Sequence, residues 1–94
     1  MRIPHSVASM VADELSLTQH RPLPADPLRR VALVAEEAGE ALKEALDLTR
    51  PTLPAEDRAY RRKMLRIELT HTISVATRVL AAMVEEDLTE PNED

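Results

Sequence analysis

The chain contains no cysteine, phenylalanine or tryptophan, and only one tyrosine and one glycine among its 94 residues. Without cysteine there is no disulfide framework, no thiolate nucleophile and no thiolate-bound zinc, so any metal site must be built from oxygen or imidazole. The same absence makes the cytoplasm the default expectation. Without bulky aromatics, the 44% hydrophobic content falls to Ala, Leu, Val, Ile and Met, which mostly favour helices. Basic residues are also short: 12 Lys and Arg against 17 Asp and Glu leave a net charge of −5. That balance repels polyphosphate backbones and argues against a general nucleic-acid binder, and it lacks the Lys/Arg-rich polar face of a membrane-surface helix. No apolar run is expected to approach the roughly 18 residues of a membrane span, and Asp13 and Glu14 make the N-terminal stretch unlike a signal peptide. The expectation is one soluble domain over residues 1–94, since a chain of this size holds a single small core.

What is present divides into helices. The seven prolines (4, 22, 24, 27, 51, 54 and 91) fall into a few clusters and leave long stretches without a breaker. Helix one is expected over 6–20, with Ser6 as N-cap and Val7, Met10, Val11 and Leu15 at helical spacing. Asp26 followed by Pro27 is a favoured start, because the carboxylate caps free amides while a first-turn proline forfeits no bond. Helix two then runs over 27–49. A further break at 50–54 precedes Glu56 and Asp57, whose charges suit the positive end of helix three, expected over 54–87 and possibly broken. An acidic tail, 88–94, completes the chain. Unbroken, helix three would be about 50 Å long, whereas a compact chain of this size has a radius of gyration of about 12 Å. Its segment Val79-Leu-Ala-Ala-Met-Val84 is apolar on every side, so assembly into a dimer or tetramer through it is the simplest way to bury it.

The carboxylates are not scattered. Advancing about 100° per residue along helix two puts Glu36, Glu37, Glu40 and Glu44 on one face. The opposite arc, Val31, Val34, Ala38, Ala41, Leu42, Ala45 and Leu46, is the expected core side, so a plain amphipathic helix with a solvated acidic face accounts for most of the pattern. Leu33 inside the acidic arc and Gly39 beside Ala32 and Ala35 depart from it, the small residues suggesting that another backbone passes closely. On helix three, Glu68 falls inside an apolar stripe of Met64, Leu65, Leu69, Thr72, Val75, Ala76, Val79 and Leu80. A carboxylate there requires a cation, because an unpaired buried charge costs several kcal/mol. Two partners present themselves: Arg61, two turns earlier, or a metal ion; His71, one turn later at the edge of the same stripe, reads on its own as a packed or hydrogen-bonded residue more often than as a ligand. Carboxylates one turn apart, facing an acid from an antiparallel neighbour, suit hard divalent cations, which also hold substrate phosphates.

Glu36-Glu37-Ala-Gly-Glu40, followed on the next helix by Glu68-Leu-Thr-His71, resembles the EExxE and ExxD motifs of MazG-like all-α nucleoside triphosphate pyrophosphohydrolases. The surrounding Val31-to-Ala45 text is similar to that family's motif helix, and the resemblance extends from about Pro27 to Met83. It implies an antiparallel three-helix bundle assembled as a homodimer or homotetramer. It also implies Mg²⁺- or Mn²⁺-dependent hydrolysis of a nucleoside triphosphate to monophosphate and pyrophosphate. By motif position Glu36, Glu37, Glu40, Glu68 and His71 would hold the metal, with Glu37 and Glu40 serving catalysis. Lys43 and Arg61 are the basic groups nearest for phosphate contact. The departure is His71 in place of the final Asp, since imidazole adds no negative charge at neutral pH and suits transition metals better than Mg²⁺. The rival expectation is a catalytically degenerate helical oligomer used for nucleotide binding or protein interaction.

Overall fold

A computed structural model describes residues 1–89 as three helices, α1 (His5–Thr18), α2 (Pro27–Asp47) and α3 (Ala55–Thr89), with no strand among the described residues. Local sequence explains most boundaries. The Asp26 carboxylate accepts a hydrogen bond from the Leu28 amide at 3.0 Å, and Pro27 opens α2, as the Asp-Pro pair predicts. Glu56 and Asp57 occupy the first turn of α3. At α1 the expectation is corrected: the helix begins at His5, and the Pro4 carbonyl, not the Ser6 side chain, accepts from the Val7 and Ala8 amides. Helix three is continuous over 35 residues and extends past the expected end. Leu88 and Thr89 therefore belong to it, and the remainder of the expected acidic tail, 90–94, lies outside the described residues.

Helix α3 is the spine. Both α1 and α2 pack against it and not against each other, which leaves a cleft between them floored by α3. The α2–α3 pair is an antiparallel hairpin, since Glu44 meets Arg61 near the turn while Arg30 meets Glu86 at the far end. Two arginines fasten the connections. Arg58 donates to the carbonyls of Leu48 and Arg50, satisfying the end of α2. Arg30, almost fully buried, donates to Pro24 O and makes a two-pronged ion pair with Glu86, which holds the Glu86 carboxyl below the usual carboxylate range.

The apolar residues are poorly covered within one chain. Ala41 and Val79 are the fully buried hydrophobic residues among those described, and the radius of gyration is 16.7 Å. The core side of α2 is shifted from the expected arc: Val34, Ala41 and Ala45 turn inward as expected and are joined by Leu33, Glu37 and Glu44, while Val31, Leu42 and Leu46 are more than half exposed. The reason is that α2 meets only one neighbour, so its broad apolar arc exceeds what a single helix can cover. Leu80, Met83 and Val84 on α3 are exposed as well. Among the described residues nothing outside its own helix lies within 4 Å of a Cβ placed on Gly39, so the expected close passage of another backbone is not found there. One earlier expectation needs correction: by length and composition α3 is sufficient to cross a membrane, with an 18-residue stretch of mean hydropathy 1.2, of which 11% is buried. Averaged over that length, the aliphatic residues outweigh the few charges among them.

Candidate metal centre

The cleft between α1 and α2 holds a cavity of about 310 Å³ to which all three helices contribute. Helix α1 brings Glu14 and Thr18, α2 brings Glu37 and Glu40, and α3 brings Glu68, His71, Ser74 and Arg78. The α3 contribution follows from helix geometry, because positions three and four apart lie above one another on one face. Antiparallel register does the rest, setting Glu37 opposite Glu68 just as it sets Glu44 opposite Arg61.

At the centre, one ligand atom each from Glu37, Glu68 and His71 lie within 4.8 Å of one another. His71 Nδ1 is 3.6 Å from Glu68 Oε2 and 3.9 Å from Glu37 Oε2, and its Nε2 is 3.7 Å from Glu14 Oε1. These separations are too long for direct hydrogen bonds. The two Nδ1 separations match a shared ion better: with bonds of about 2.1 Å, octahedral ligand atoms stand about 3.0–4.2 Å apart. Among the described residues the buried oxygens Glu37 Oε2 and Glu68 Oε2 have no hydrogen-bond partner, nor does Ser74 Oγ, whose residue is 1% exposed. Buried polar atoms are nearly always satisfied, so three orphans around one cavity call for a partner there, an ordered water or an ion. Charge points the same way, since four carboxylates line the cavity against two guanidinium groups.

Burial pushes the Glu68 carboxyl above its ordinary range; the adjacent Glu40 carboxylate adds to this, His71 opposes it, and Glu37 contributes further. The consequence for stability has a definite sign. A carboxyl whose folded-state pKa is raised stabilises the fold below its unfolded pKa, and that contribution is lost as pH rises through the folded value. Metal-free protein in chelator is therefore expected to lose thermal stability as pH rises above the ordinary carboxylate range, and Glu68→Gln should flatten this portion of the profile. Parallel profiles for the two proteins would show that Glu68 is not the group responsible.

Of the residues singled out from sequence, Glu37, Glu40, Glu68 and His71 come together around the cavity. Glu36 is exposed and lies outside its lining, as does Lys43. Arg61 is engaged elsewhere, 3.2 Å from Glu44 and 3.5 Å from Asp47, so it is neither the Glu68 partner nor part of the cavity. Glu14, Arg21, Ser74 and Arg78 are additions. For Ser74 and Arg78 a signal existed: with Glu68 and His71 they form a polar line at spacings of three and four along α3. Glu14 and Arg21 carried none, because nothing local says which way α1 faces. No family model, curated protein or solved structure matches this chain.

Proposed function

We propose that the chain is a divalent-metal-dependent hydrolase of nucleoside triphosphates, MazG-like in its chemistry, releasing pyrophosphate and working in the cytoplasm. The observation that carries this reading is the pair of orphaned buried oxygens, Glu37 Oε2 and Glu68 Oε2, meeting beside His71. Glu37, Glu68 and His71 would hold Mg²⁺ or Mn²⁺, with Glu14 and Glu40 adjoining; the ion supplies Lewis acidity and cancels negative charge that would otherwise repel a phosphate. Glu40, less buried than Glu68 and beside it, accepts a proton from the attacking water. Attack at the α-phosphorus forms one P–O bond and breaks the bond to the bridging oxygen, so that pyrophosphate departs and the monophosphate stays.

Pyrophosphate release over a nucleotide panel with Mg²⁺ and with Mn²⁺ tests this. Turnover is expected, and Glu40→Gln should lower it by about 10²- to 10⁴-fold while metal binding persists. His71 favours the second reading, a degenerate helical module for nucleotide binding or protein interaction, because it withholds one negative charge from the centre. No turnover with either ion, and none after His71→Asp, would leave that reading in place.

The assembly is proposed to be a homodimer or homotetramer. Its support is the uncovered arc of Val31, Leu42 and Leu46 on α2 with Leu80, Met83 and Val84 on α3. Leu42→Glu combined with Leu80→Glu should shift the protein to monomer in sedimentation experiments and lower its stability; an unchanged mass would remove these faces from the interface.

A further inference from the structure

The metal cavity does not end at the carboxylates. Its α3 side carries Arg78 and its α1–α2 connection carries Arg21, and these same two residues line a second cavity of about 570 Å³. Leu15, Leu23 and Ala82 give that second space aliphatic walls, and Gln19 brings an amide to it. Both volumes fall in or near the about 300–1,000 Å³ range of small-molecule sites.

The two arginines behave unlike the others facing acids in this molecule. Arg30, Arg50 and Arg61 are ion-paired with carboxylates, whereas among the described residues neither Arg21 nor Arg78 is, although both share a cavity with four glutamates. Arg78 instead donates to the backbone carbonyl of Arg21, which ties the α1–α2 connection to α3 and keeps both residues at the junction of the two cavities. The cleft thus carries four carboxylates and the orphaned Ser74 hydroxyl together with the two guanidinium groups that it shares with the second cavity.

From this arrangement we infer that Arg21 and Arg78 hold the phosphate chain of the substrate between the carboxylate centre and the second cavity, which receives the nucleoside. The inference rests on the hydrolase reading and deepens it by naming how the substrate lies. Guanidinium groups are suited to the task, since their fixed donors match phosphate oxygens and their charge persists at any working pH. No aromatic side chain lines the second cavity, so the base is held by aliphatic walls and the Gln19 amide rather than by stacking.

Calorimetric titration with two probes tests the inference: inorganic tripolyphosphate, and α,β-imido analogues of the four common nucleoside triphosphates, all with Mn²⁺. Arg21→Gln and Arg78→Gln are each expected to weaken tripolyphosphate about tenfold. Among the described residues the Arg21 side chain makes no hydrogen bond or ion pair, so its variant remains informative should loss of the Arg78 brace disturb the connection. Ala82→Leu should weaken the nucleotide analogues about tenfold and leave tripolyphosphate unaltered. Wild-type tripolyphosphate affinity in both arginine variants would overturn the arginine assignment, and equal losses for both probes in Ala82→Leu would overturn the nucleoside assignment. Mn²⁺ titrated alone reads the carboxylate centre separately, so its failure to bind counts against the hydrolase reading and not against the arginines.

Discussion

Glu68→Leu should unfold at the same temperature as the wild type or higher when metal is chelated, and should lose all of the wild type's stabilisation by Mn²⁺. The first half follows from what surrounds the carboxyl. Its side chain is 15% exposed, one oxygen is orphaned, and Glu37 and Glu40 face it, so replacing it by an apolar group removes both desolvation and repulsion. The second half follows from linkage. An ion that binds only the native state stabilises it by about 2.7 kcal/mol at a concentration a hundredfold above its dissociation constant. At roughly 4–8 °C per kcal/mol for a domain of this size, the wild type gains about 10–20 °C. Glu36→Gln should keep that gain, because Glu36 lies outside the cavity. Equal destabilisation of Glu68→Leu with and without Mn²⁺ would instead make Glu68 a structural acid.

His71→Asp should reverse the order of metal preference. With imidazole at the centre, the wild type is expected to favour Mn²⁺ over Mg²⁺, since nitrogen ligands suit transition metals whereas Mg²⁺ takes oxygen. An aspartate supplies both an oxygen donor and a permanent charge, so Mg²⁺ affinity should rise about tenfold while the Mn²⁺ advantage shrinks. Hydrolysis with Mg²⁺ should rise with it. Identical affinity ratios in the two proteins would mean that His71 does not touch the ion and that its position 3.6 Å from Glu68 serves packing alone.

The sequence made the helices legible because their boundaries are set locally. Asp26-Pro27 caps α2 through a bond two residues long, and proline clusters interrupt helices wherever they occur. Which face meets which neighbour is not local. A helical wheel groups Glu37 with Glu40, but it cannot say that α2 turns the Glu37 edge toward α3 and leaves Leu42 and Leu46 uncovered. Arg61 illustrates the same limit: on the wheel it sits near Glu68, yet antiparallel register presents it with Glu44 and Asp47, which are nearer than an acid two turns along its own helix. Glu68 was legible for a different reason. A charge inside an apolar stripe is anomalous in any packing, so the need for a cation could be read before the neighbours were known. Glu14 and Arg21 became visible only once α1 was seen to border the cleft.

Anomalous diffraction from crystals grown with Mn²⁺ tests the centre most directly. One peak is expected between Glu37, Glu68 and His71, about 2.1 Å from a carboxylate oxygen of each glutamate and from an imidazole nitrogen. A peak at Glu44 and Asp47 instead, or none in a protein that nevertheless hydrolyses nucleotides, would contradict a metal centre in this cleft.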